Sequence, residues 1–135
     1  MMRKEILIEG YTSEEILRLP PEQIEGLVLT GEPVIVKAGS AQILVEFRIK
    51  GKRLVVELAH IDGGGEGVLL TLWLLAEHYS KGRGLQEIEW IVHALHCANP
   101  NPKLRPLLER RGFMVRDVPG IGQAYYQLCR VAESQ

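Results

Sequence analysis

The chain has 135 residues, 46% of them hydrophobic and 24% charged, and a formal net charge of -1. That length suits one domain spanning residues 1–135 around a single core, and the composition excludes an intrinsically disordered polymer. The near-neutral balance gives no electrostatic case for nucleic acid or a membrane surface as partner, and the longest apolar stretch, Val68 to Ala76, falls far short of the ~20 residues that cross a bilayer.

Charge is uneven along the chain. Residues 1–30 carry a balance of -3 and residues 101–116 a balance of +4, the latter from Lys103, Arg105, Arg110, Arg111 and Arg116 against Glu109. A solvated helix face is the first reading of these cations, and contact with RNA or DNA the weaker one. Cys97 and Cys129 lack zinc-site or CxxC spacing and are expected as reduced thiols. The apolar run after Glu5 is too short for a signal peptide, so a cytoplasmic protein is expected.

In chain order, Glu5 to Glu9 reads as a short strand. Thr12 and Glu15 have the spacing of a capping box and open a helix that Pro20 and Pro21 interrupt, with Pro21 starting another turn or two through Ile24. Pro33 to Ala38 is a strand rich in Val and Ile. From Ala41 to Lys50, Ile43, Val45, Phe47 and Ile49 alternate with Gln42, Glu46, Arg48 and Lys50, the pattern of a half-buried strand. Gly51 and Lys52 turn the chain into the apolar strand Arg53 to Ile61, which makes residues 33–61 an antiparallel meander.

Asp62 to Gly67 is a glycine-rich loop, followed by a run, VLLTLWLLAEHY, that reads as a helix buried on most faces and closed by Gly82 and Gly84. Glu87 to Leu95 is a strand alternating Ile88, Trp90 and Val92 with Glu87, Glu89 and His93. Lys103 to Arg111 is helical with Gly112 as its stop, and Phe113 to Arg116 and Ala124 to Val131 form a hairpin. The strand, loop, helix and strand over 53–95 predict a right-handed parallel crossover.

Glycines between a strand and a helix make a ready anion site, because the first helical amides are unpaired, the helix dipole favours negative charge, and residues without Cβ let a phosphate approach. This loop matches neither the P-loop nor the dinucleotide fingerprint. Downstream, Asn101, Leu104, Leu108, Glu109, Arg110, Arg111, Gly112 and Phe113 form an Asn, an amphipathic helix and a Gly-Phe. In this the chain resembles the GNAT family of N-acetyltransferases over roughly Ala41 to Val131.

The resemblance implies an α/β (α+β) fold with a central mixed, mostly antiparallel sheet flanked by helices. It implies acetyl-CoA, or another acyl-CoA, as co-substrate, no metal, and direct acyl transfer to an amine acceptor that the sequence does not identify. Within Gly63, Gly64, Gly65, Glu66 and Gly67, the Gly65 and Gly67 pair corresponds to the pyrophosphate loop. Leu58, Ala59 and His60, with Glu57, would flank the pantetheine, and Asn101 would contact the cofactor arm. The chain departs from the family at Asp62, where Arg or Gln is usual, in the second carboxylate Glu66, and at Leu108, where a Tyr often serves as general acid.

Candidates for the proton transfers are Glu57 and His60 as base and Tyr125 or Tyr126 as hydroxyl donor, with His93 on the neighbouring strand. His93, His96 and Cys97 invite a metal reading, but residues three apart on a strand face opposite ways, and no metal site is expected. Trp73 and Trp90 are expected as core aromatics. The alternative to an enzyme is a catalytically inactive domain of the same fold that binds a protein or a ligand. Tyr125, Tyr126 and Leu128 on the last hairpin point to a homodimer.

Overall fold

Thr12 opens the first helix as its spacing predicts: its hydroxyl accepts from the Glu15 amide, and the Glu15 carboxylate accepts from the Thr12 amide, both at 3.1 Å. Thr12→Ala is expected to cost about 1 kcal/mol, measured as a lower urea midpoint at unchanged slope. The computed structural model describes residues 6–38, 41–62, 66–93 and 104–131. Its elements are β1 (Ile6–Ile8), β2 (Tyr11–Thr12), α1 (Ser13–Arg18), α2 (Pro21–Val28), β3 (Val34–Ala38), β4 (Ala41–Lys50), β5 (Arg53–Asp62), α3 (Glu66–Arg83), β6 (Glu87–Val92), α4 (Leu104–Arg110), β7 (Met114–Val118) and β8 (Gly122–Arg130).

The strands form one sheet in the order β2-β1-β3-β4-β5-β6-β8-β7. Every neighbouring pair is antiparallel except β5 and β6, which run parallel with α3 as their crossover. This is the mixed, mostly antiparallel α/β fold expected from the sequence. The short β2 is an addition that two residues cannot signal. The second helix runs past Ile24 to Val28 because both residues, one turn apart, are buried against α3 and the sheet. Glu25 ties that helix down, accepting from the Tyr79 hydroxyl at 2.7 Å and from Arg83 Nε at 2.6 Å and Nη2 at 2.8 Å.

Gly82 does not end α3; Gly84 does, at φ 68°. The Leu85 amide reaches the Ser80 carbonyl at 2.9 Å and the Gly84 amide that of Lys81 at 3.2 Å, the paired bonds of a Schellman stop. The end of α4 repeats it, with Phe113 to Leu108 at 2.9 Å and Gly112 to Glu109 at 3.1 Å, and Gly112 at φ 89°. The Gly-Phe of the sequence is thus a helix terminator whose Phe113 packs in the same core as Leu108. Nor is α3 buried on most faces, since Leu70 and Leu74, one turn apart, are about half exposed (47% and 51%).

All four described helices send buried residues to one face of the sheet, Ile16, Ile24, Leu72 and Leu108 meeting Val56, Leu58 and Trp90 there. Trp73 stacks on Trp90 with centroids 5.0 Å apart and planes 6° from parallel, so both are core aromatics. Strand residues alternate faces, and the opposite face carries a smaller cluster of Val55, Ile91, Val118 and Ala124 to which no described helix contributes. The polar face expected of β6 is itself partly buried: Ile91 is enclosed, and Glu89 is sunk beside Arg53, whose Nη1 lies 2.7 Å from its carboxylate.

Candidate active site

The two-residue turn at Gly51 and Lys52 sets Lys50 opposite Arg53 and, further along, Glu46 opposite Glu57. Two carboxylates facing across a ladder repel. Arg48, on the same face, bridges them, its Nη1 lying 2.6 Å from Glu46 Oε2 and 2.9 Å from Glu57 Oε1. Parallel pairing places Ile91 beside Glu57, and His93, two residues further on the same face, brings its Nε2 to 2.7 Å from Glu57 Oε2. An ionised carboxylate only accepts, so this contact selects the imidazole tautomer with the proton on Nε2.

Burial pushes the Glu57 carboxyl up, but the hydrogen bonds from His93 and Arg48, with the charge of Arg48, outweigh it and hold the pKa below the ordinary carboxylate value. A carboxyl lowered in the folded state stabilises the fold above its unfolded pKa, near ~4.3, and that contribution is lost as pH falls through the folded value. The melting temperature advantage of the native chain over Glu57→Gln is therefore expected to persist at neutral pH and to close below about pH 4 in a thermal melt series. An advantage unchanged at about pH 2 would contradict it.

The dyad stands where the β5–β6 ladder ends. The His93 amide donates to the Leu58 carbonyl at 2.9 Å, the last pairing of the two strands among the described residues, while β5 continues to Asp62. Against β4, Leu44 pairs with Ala59 and Gln42 with Asp62, so β5 carries one extra residue between them. Such bulges re-aim the chain beside a site. Behind the bulge, α3 starts at Glu66.

The sequence candidates separate as follows. Glu57 and His93 come together, and Ala59 lies on their face by alternation. Leu58 turns its side chain into the helix-covered core. His60 supplies backbone to β5, and Glu66 and Gly67 open α3; Gly63, Gly64, Gly65, Asn101, His96 and Cys97 lie outside the described residues. Tyr125 and Tyr126 point to opposite faces. Tyr125 is buried among the core residues with its hydroxyl donating to Glu109 Oε2 at 3.1 Å, and burial, then that carboxylate, raise its pKa; the structure does not bring it to Glu57. Tyr126 shares the face of Glu57, two strands or roughly 10 Å away, with Arg116 stacked 4.8 Å over its ring. Leu108 is fully enclosed, so no hydroxyl stands at that position of α4.

Two features escaped the sequence reading. Arg48 was readable in principle, because the hairpin register alone opposes Glu46 to Glu57 and calls for a cation beside them. The other is a cavity of about 380 Å³ on the same open face, floored by Val55, Ile91 and Tyr126 and reached by Arg48, Arg53 and Arg116. Pro119 and Ile121 from the β7–β8 turn close it, a contact that no local pattern announces.

Solved structures that this chain resembles include acetyltransferases. The PaiA N-acetyltransferase from Thermoplasma acidophilum, in complex with coenzyme A, is 17% identical, with 93% of this chain and 98% of that one covered and a TM-score of 0.46. Nourseothricin acetyltransferase is 19% identical over 74% of this chain and 65% of that one, at a TM-score of 0.43. Ard1 from Thermoplasma volcanium is 12% identical over 98% of this chain and 100% of that one, at 0.44. No family model and no curated protein matches the sequence. Identities this low transfer no residue roles. Among the described residues no helix is long and apolar enough to cross a membrane, and no three ligating side chains converge as a metal site would require.

Proposed function

We propose that the chain, as one domain, is an acyl-CoA-dependent N-acyltransferase that passes an acetyl group directly to an amine, with Glu57 and His93 as its base. The observation that carries this reading is the 2.7 Å carboxylate–imidazole contact at the end of the β5–β6 ladder, one loop before the start of α3. Acyl-CoA supplies the activated thioester. The backbone of β5 past Leu58 would lie along its pantetheine arm, and the glycines before α3, with the first helical amides, would hold its diphosphate. Glu57 and His93 take the proton that the amine loses as its nitrogen bonds to the acyl carbon. As the carbon–sulfur bond breaks they return it to the departing thiolate, giving an amide and a free thiol.

Glu57 suits an orienting role better than a solitary base, since Arg48 keeps it ionised and the imidazole is the group it aligns. The enclosed Leu108 favours the second reading, a domain of this fold that binds without turnover, because the position that would hold a donor hydroxyl holds none. A second copy of the chain would meet the exposed Met114 and Val115 of the edge strand β7 and Leu128 rather than the buried Tyr125.

Acetyl-CoA at a hundredfold excess over its dissociation constant adds ~2.7 kcal/mol, which for a chain of this length raises the melting temperature by roughly 10 °C. No rise at millimolar acetyl-CoA would remove both the co-substrate and the reaction. A rise without thiol release across an amine panel would leave the non-catalytic reading.

A further inference from the structure

Two arginines on the open face each hold a pair of carboxylates, and they do it differently. Arg53 spends Nη1 on Glu89 at 2.7 Å and Nη2 on Glu87 at 3.2 Å, one nitrogen for each, and both carboxylates belong to β6. Arg48 spends a single nitrogen on two strands: its Nη1 lies 2.6 Å from Glu46 Oε2 on β4, its own strand, and 2.9 Å from Glu57 Oε1 on β5. Among the described residues, Glu57 is also the carboxylate whose second oxygen meets a histidine, with His93 Nε2 2.7 Å from Oε2. Arg48 therefore touches the dyad, and Arg53 does not.

The Glu57 side chain is long, flexible and 20% exposed, so one hydrogen bond leaves its carboxylate free to swivel about the last bond. Donors at both oxygens stop that rotation. Arg48 reaches Oε1 from β4 and His93 reaches Oε2 from the end of β6, the strands on either side of β5, so the carboxylate plane is pinned from both sides. Glu46 completes the brace, because it faces Glu57 across the ladder and holds the same Nη1. Ion pairs this open to water add little to stability, and the ladder already joins β4 to β5 along their length. What the arrangement fixes is direction: Glu57 Oε2 stays aimed at the imidazole.

Resting on the acyltransferase reading, we propose that Arg48, seated by Glu46, is the positioning residue of the dyad: it clamps Glu57 so that the carboxylate holds the His93 imidazole in one tautomer and one orientation. Arg48 acts through Glu57 rather than on the reacting atoms. Because Nη1 alone makes both contacts, the role calls for a charged donor of about this length and not for the fork of a bidentate guanidinium. Lysine at this position should therefore serve, and a neutral side chain should not.

The test has two readouts on the full chain, one of them free of substrate and cofactor. In nitrogen–proton NMR of the His93 ring at neutral pH, Arg48→Met is expected to speed exchange of the Nε2 proton with water about tenfold and to mix the two tautomers, whereas Arg48→Lys keeps the native signal. With the best amine acceptor, Arg48→Met should lower kcat about tenfold and leave KM for the amine and for acetyl-CoA within about twofold, while Arg48→Lys keeps at least about a third of native kcat. Arg48→Gln, neutral and too short to span the two carboxylates, repeats the methionine measurement should that variant fold poorly. A methionine variant with a native ring signal, or with native kcat, overturns the inference, and so does a lysine variant that behaves like it. A native chain that turns over no amine removes the acyltransferase reading, and the ring signal alone then decides whether Arg48 braces Glu57. Native turnover with a ring signal indifferent to Arg48 keeps the reaction and loses the brace.

Discussion

Glu57→Gln is expected to lower turnover with the best amine acceptor by ~100-fold or more, the usual contribution of a positioned base. The substitution keeps the shape of the side chain and removes the charge that aligns the imidazole. His93→Ala should cost about as much, and the double variant little more than either, because groups that act as a unit do not add. The acetyl-CoA melting shift should stay in both, which separates a loss of chemistry from a loss of binding. Full turnover in either variant would show that the 2.7 Å contact is structural and that the proton goes elsewhere.

The second large effect concerns the fold. Trp90 is completely enclosed on β6 and stacked on Trp73 of α3, so it joins the crossover helix to the strand that it leads into. Trp90→Ala is expected to cost ~3–5 kcal/mol, against a total stability of roughly 5–15 kcal/mol for a domain. The indole N–H of Trp90 finds no acceptor among the described residues. Trp90→Phe therefore keeps an aromatic in the stack while removing a buried donor, and should cost under about 1.5 kcal/mol. Urea unfolding followed by circular dichroism checks both, and a Trp90→Ala midpoint close to that of the native chain would sink the argument.

What was legible in the sequence follows from how local each cause is. The Thr12–Glu15 box, the Pro21 helix start and the Gly112 stop depend on partners within five residues, and the structure forms each of them. The alternation of β4 and the apolar run of β5 fixed the meander. Where burial comes from a distant element, pattern reading misplaces residues. Glu89 looked like a solvent-facing position, yet Arg53, 36 residues earlier, allows it to sink beside a neighbour. The helix from Pro21 looked shorter because what lengthens it is the cover that α3 provides, not its own propensity. The grouping of Glu57, Arg48 and His93 needs both the hairpin register and the parallel register, and only the first can be counted from the turn. Of the residues on which the family resemblance leans, Gly65 and Asn101 lie outside the described residues, so their roles stay within the proposal.

Neighbouring tyrosines on β8 serve two different compartments: Tyr125 is a pillar of the core beneath the helices, and Tyr126 is a wall of the cavity on the open face. A shift of the strand by a single residue would exchange them, sinking the ring that carries Arg116 and turning the core tyrosine out into the cavity. The chain therefore has little freedom to gain or lose one residue in the turn between β7 and β8. Evolution can change the letters of that turn, and with them the cavity rim at Pro119 and Ile121, far more readily than it can change their number.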